Sequence, residues 1–198
     1  MGEGVHHRSA APVGVIDGNE ERAVERAHIE RAQRGDAIAF RALVERHHRG
    51  VFSLARRMTG DAAEAEDLTQ ETFARAFVAL DDFDSSFRLS TWLYRIALNA
   101  CRDHLKSPRR REQPDPSAAN GAAHVPAPEA AMDRDREAVR VRAALERLSP
   151  SYREALVLKD MQGLAYEEIR EITGAPVTAL KIRVLRARAR LRAFLEEP

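Results

Sequence analysis

One cysteine, Cys101, occurs in 198 residues. That excludes a disulfide framework and any zinc site built on cysteine. Aromatic residues make up only 6% of the chain against 32% charged residues, a balance that favours small helical bundles over a large sheet protein. No apolar run reaches the length needed to span a bilayer. The opening residues, MGEGVHHRSAAPVG, lack the apolar stretch of a signal peptide. The chain therefore reads as soluble and cytoplasmic. There is no glycine-rich phosphate loop. None of the seven histidines pairs with another at i,i+4 or has a ligand partner at metal spacing. No metal, cofactor or catalytic centre is expected, and His47 and Cys101 read as packing residues.

What is present is helical periodicity interrupted by punctuation. Residues 1–18 contain no Leu and no aromatic, so they cannot bury enough surface to offset ordering entropy and read as a flexible tail. A short helix is expected from about Asn19 to Gly35. From Asp36, a suitable cap, residues Phe40, Leu43, Val44, His47, Val51, Leu54, Ala55 and Met58 recur at helical spacing until Gly60. Asp61 and Glu64 form a capping box for a second stripe running through Leu68, Thr72, Phe73 and Phe77 to Leu80. A polar loop, Asp81 to Ser86, separates it from a third stripe between Leu89 and Leu105.

Residues 107–135 hold five of the nine prolines and no Leu, Ile or Phe. They read as a linker, and a linker without its own core implies two separately folded units. The expected division is a tail over 1–18, a first unit over 19–106, a linker over 107–134 and a second unit over 135–198. In the second unit Ser149 caps a helix with Pro150 at its first position. Gly163 and Gly174 bracket a short helix from Tyr166 to Thr173, and a last helix runs from about Thr178 to Leu195. Short helix, tight turn, longer basic helix is the signature of a helix-turn-helix. The fold class is therefore all-α, with two small helical domains.

The net charge of +1 hides strong patterning. Asp61 to Asp84 carries eight acids and one base, Ser86 to Arg111 seven bases and one acid, and Pro176 to Leu195 six bases and no acid. Two basic faces, one in each unit, suit two contacts with one polyanion; the acidic helix would be repelled by that polyanion and suits a basic protein surface. At 100° per residue Leu180, Val184, Ala187 and Leu191 of the last helix face the core. Arg183, Arg186 and Arg190 flank them, and Thr178, Ile182 and Leu185 lie opposite. Arginine can read guanine and a methyl-bearing side chain thymine; Arg188 and Arg192, near the core edge, are expected to meet phosphate or solvent. Eight of eleven aromatics lie between Phe40 and Tyr94. Phe40, Phe52, Phe73 and Phe77 have a buried phase. Phe83 and Phe87 lie on the polar loop, beside arginines, where aromatic rings form a stacking platform for unpaired bases.

These strings resemble a known family. A-E-D-L-T-Q-E-T-F (65–73) and F-R-L-S-T-W-L-Y-R-I-A-L-N (87–99) are similar to domain 2 of bacterial extracytoplasmic-function sigma factors. L-S-P-S-Y-R-E-A-L-V-L (148–158) and the stretch Tyr166–Arg188 are similar to their domain 4. The resemblance implies transcription initiation. Its expected partners are core RNA polymerase, through the clamp coiled coil of the largest subunit and the β flap, promoter DNA, and an anti-sigma factor. It implies polymerase contacts at Asp67, Leu68, Gln70 and Glu71. It implies capture and melting of the −10 element by Phe83, Ser85, Ser86, Phe87, Arg88, Trp92, Arg95 and Asn99. It implies reading of the −35 element by Thr178, Ala179, Lys181, Ile182, Arg183, Arg186 and Arg190. The chain departs from the family at Ala165, where a Ser or Thr cap is usual and its loss should cost about 1 kcal/mol, and at Ala179 and Ile182, where the family carries hydroxyls. The alternative is a two-domain helix-turn-helix regulator that does not bind polymerase, which leaves the acidic helix unexplained.

Overall fold

The computed structural model describes the backbone of residues 18–107 and 129–197, with side chains from 20 and from 136 onward in the two segments. The expected tail and most of the expected linker lie outside the described residues. Eight α-helices occur among those described: α1 Gly18–Gln33, α2 Ala37–Thr59, α3 Ala62–Val78, α4 Leu89–Lys106, α5 Glu129–Glu146, α6 Pro150–Leu156, α7 Tyr166–Thr173 and α8 Val177–Glu196. No strand occurs among the described residues. Helix α5 starts at Glu129, inside the stretch expected as linker.

The punctuation acts as the side chains dictate. Asp36 accepts hydrogen bonds from the Ile38 and Ala39 amides at 2.9 and 3.1 Å, and Arg31 holds its carboxylate from α1. Gly60 ends α2 at φ +82°, a left-handed conformation that favours glycine. Asp61 accepts from the Glu64 amide at 2.9 Å and starts α3. Gly50, inside α2, is explained by packing: a Cβ there would meet the Tyr94 hydroxyl at 2.6 Å. Gly50 is thus where α4 crosses α2. Buried Thr69 and Thr72 donate to carbonyls one turn back, at 2.7 and 2.6 Å, so the α3 stripe buries no unpaired hydroxyl.

In the second unit α6 runs into a π turn, Val157–Met161, and Gly163 reverses the chain at φ +71°. Ser149 and Pro150 sit at the expected positions, but the Ser149 side chain makes no capping bond. Gly174 at φ +73° turns α7 into α8, which packs through Leu180, Val184 and Ala187.

Two sequence expectations fail on packing. Phe77 is 57% exposed, touching the Phe40 ring edge-on at 5.0 Å from the outside of the bundle. Phe83 is buried, at 7%, with its ring 4.9 Å from that of Trp92. The loop turns Phe83 inward because Gln33 binds the carbonyls of Leu80 and Phe83, both at 3.0 Å. The two units also pack on each other. Leu93, Ala97 and Leu98 of α4 share one apolar cluster with Leu158, Leu164, Ile169 and Ile172.

Candidate polymerase and nucleic-acid interfaces

The first candidate surface is the outer face of α3. Asp67, Gln70 and Glu71 are exposed there. Glu71 is held by Arg75 at 2.6 Å, and Gln70 reaches Glu66 at 3.4 Å. Leu68 is buried and belongs to the core beneath. In this structure it lies beneath the face rather than on the exposed surface.

The second surface is the loop before α4 and the first turns of that helix. Asp84 accepts from the Ser86 amide at 2.8 Å, which fixes the turn and holds the Asp84 carboxyl below its usual pKa. Phe87, 57% exposed, is the ring this turn presents. Beside it lies a cleft of about 230 Å³ lined by Phe83, Phe87, Thr91, Trp92 and Arg95 from the first unit and Glu171 from the second. The Thr91 hydroxyl is buried with no hydrogen-bond partner among the described residues, an atom with unused bonding capacity. Sequence reasoning missed Thr91 because a threonine one position before Trp92 reads as ordinary helix filling. Ser85 is half-buried, whereas Ser86, Arg88, Arg95 and Asn99 are exposed. Of the expected residues here, Phe83 forms the floor of the cleft and Phe87 its free rim.

The third surface is α8. Thr178, Ile182 and Leu185 are exposed along one line, with Lys181, Arg186 and Arg190 beside them; Ala179 and Arg183 are half-buried. Tyr152 of α6 supports the arginines. The Arg190 guanidinium lies 4.9 Å from the centre of the Tyr152 ring. Bonding to Arg186 holds the Tyr152 hydroxyl below its usual pKa. Sequence periodicity gave no sign of Tyr152, since support from another helix is a tertiary fact. Arg188 is exposed. It makes a bidentate pair with Asp160 at 2.5 and 2.7 Å, a partner that helical phase alone does not show. Ala165 supplies no side-chain cap to α7, but its amide donates to Glu168 at 2.8 Å, so half of the capping box survives.

His47 bonds Glu25 at 2.7 Å, and the Cys101 thiol is buried, its pKa pushed up to about 12 mainly by burial. No group of metal-ligating side chains occurs among the described residues, and no described helix is long and apolar enough to cross a membrane.

Comparison with known proteins gives matches to both units. Residues 43–111 match the family model for sigma-70 region 2, and residues 138–191 that for sigma-70 region 4. The chain is 36% identical over 169 residues to the RNA polymerase sigma-H factor of Pseudomonas aeruginosa, covering 81% of this chain and 88% of that one. It is 33% identical over 177 residues to the ECF RNA polymerase sigma-E factor of Escherichia coli, covering 85% and 92%. Among solved structures it resembles CnrH in complex with the cytosolic domain of CnrY, with TM-score 0.67 and 30% identity over 87% of this chain and 97% of that one.

Proposed function

We propose, because this chain belongs to the extracytoplasmic-function branch of the sigma-70 family of RNA polymerase sigma factors, that its three surfaces divide the work of transcription initiation among them. As a sigma factor it joins core RNA polymerase and directs it to promoters; the chemistry of RNA synthesis belongs to the polymerase. Such a factor acts in the cytoplasm, where the polymerase is.

The observation that carries the division is the separation of charge and aromatic character onto distinct surfaces. Asp67, Gln70 and Glu71 offer carboxylates and an amide to the clamp of the polymerase. Phe87 stacks an unpaired base of the −10 element at the cleft mouth. Thr91 and Arg95 supply the polar contacts to it, and Trp92 and Phe83 hold the floor. Arg88 and Asn99 extend this surface along the strand. On α8, Thr178, Ile182 and Arg186 face the −35 duplex, with Ala179, Lys181, Arg183 and Arg190 on its flanks. An anti-sigma factor is the expected regulatory partner, and CnrH with its CnrY partner illustrates a relative held by a second protein. A helix-turn-helix regulator that ignores polymerase is not favoured, because it leaves the exposed acids of α3 without a use.

The test is a titration of core polymerase with the Glu71→Lys variant. The exposed Glu71–Arg75 pair is worth little to folding, so the fold should stand, while a lysine on this face meets a basic partner with repulsion. Core affinity should fall by about tenfold or more, the order of one lost charge contact. Unchanged affinity overturns the assignment of α3.

A further inference from the structure

Four arginines meet in a groove that none of the three surfaces uses. Arg49, Arg56 and Arg57 lie along α2, and Arg142 joins them from α5, around an opening of about 600 Å³, within the usual range for small-ligand sites. Arg153, only 8% exposed, fixes the two walls. It donates to the Met58 carbonyl at the end of α2 and to the Leu145 and Glu146 carbonyls at the end of α5, at 2.6, 2.9 and 2.6 Å. Arg56, Arg57 and Arg142 are half-buried and Arg49 is exposed. None of these four forms an ion pair with a described residue. Arg56 donates to the Gly60 carbonyl and Arg57 to the Ser53 carbonyl, which leaves most of their donors uncommitted. Burial alone holds the Arg57 guanidinium below its usual pKa. Burial, then the charge of Arg142, do the same to Arg56, against the opposing pull of Asp61 and Glu146. Positive charges drawn together and partly stripped of water are costly until an anion balances them. Phe52, Val141, Leu145 and Met161 give the same groove an apolar lining, and the exposed carboxylate of Glu137 lines it too.

We propose that this groove binds a nucleoside polyphosphate, with its phosphates on the arginines and its base against the apolar lining. Guanidinium forks match phosphate oxygens two at a time. Roughly 12 Å of helix separates Arg49 from Arg57, more than one phosphate bridges, so a ligand with two or more phosphates fits better than a monophosphate. The volume suits one small molecule rather than the long open track that a nucleic-acid strand needs. Glu137 opposes the anion and limits its affinity. Because the phosphates touch both helices, the ligand fastens α5 to α2, and the stability of the chain rises with ligand concentration.

The test is calorimetric titration of the full chain with ADP, and with adenosine as the phosphate-free control. The proposal predicts saturable binding of ADP, none of adenosine over the same concentrations, and a melting temperature that climbs with ADP. Arg57→Gln with Arg142→Gln should weaken ADP by about tenfold or more, the order of a lost charge-assisted contact. Arg34→Gln with Arg41→Gln, exposed arginines outside the groove, should change it far less. Glu137→Gln should tighten ADP a few-fold. This opposite sign also keeps the test available should the double arginine variant not fold, since an E137Q chain with unchanged or weaker ADP affinity overturns the proposal. So does absence of ADP binding by the wild-type chain, and so does an equal loss in the groove and control variants. Failure to bind ADP, together with weaker binding of a labelled single-stranded DNA 12-mer by R57Q/R142Q alone, makes the groove a nucleic-acid contact and likewise overturns it.

Discussion

Phe83 and Phe87 stand four residues apart on one polar loop, and their fates differ. The composition of the loop shows two rings beside arginines, which is why both were legible as candidates for stacking. Which ring turns inward depends on Gln33, fifty residues earlier, holding the Phe83 carbonyl; no local pattern carries that. Phe87→Ala should therefore leave thermal stability nearly unchanged and reduce permanganate reactivity of the −10 region in promoter complexes. Phe83→Ala should cost about 3–5 kcal/mol of stability, the usual range for a buried phenyl, and a normal melting temperature for it would refute the buried placement. Cys101 shows the opposite case, a residue whose role its helical phase already gave away. The thiolate is the reactive form, and burial raises the thiol's folded pKa to about 12. A raised pKa favours the folded chain below the ordinary thiol value, and that contribution fades as pH rises from there toward the folded value. Alkylation by iodoacetamide at pH 8 should be negligible in the native chain and prompt in denaturant; rapid labelling of native protein would contradict the burial.

Helix boundaries were the most legible feature, because their signals are local. Asp36, Gly60, Asp61 and Gly174 each terminate or start the helix that their chemistry favours. The π turn at Val157–Met161 was not legible, since its sequence continues a helix without a breaker and the Gln162 amide simply reaches one carbonyl further back, to Val157 at 2.9 Å. On α8 the 100° phase placed Ile182 and Leu185 outward, as found, but it could not show that exposed Arg188 pairs with Asp160 of a neighbouring element. Arg186, bonded to Tyr152, is the arginine proposed to read a base. Arg186→Ala, assayed on a library of −35 elements at two salt concentrations, should cost about 1–3 kcal/mol and relax preference at one position. A uniform loss with a shallower salt slope would make Arg186 a phosphate contact instead. Ile182→Ser should shift the preferred sequence at the position its side chain meets.

At the scale of the whole molecule, the two units were legible in a proline-rich stretch without large apolar residues, and their family in motifs long enough to be specific. Their docking was not. Periodicity says that a face is buried, never against what, and the charged pair Arg153 and Glu154 reads as solvated surface although both are buried between the regions. The surfaces proposed for −10 DNA and for polymerase came from charge runs, aromatic placement and motif likeness, which are local signals. The central claim remains that this chain gives core polymerase its promoter choice. Run-off transcription with purified core polymerase on a pool of promoter fragments tests it most directly. Discrete transcripts from a subset of promoters, absent without the chain and weakened by Glu71→Lys and by Phe87→Ala, are the predicted result. Binding of the chain to promoter duplexes with no change in what core polymerase transcribes would contradict it.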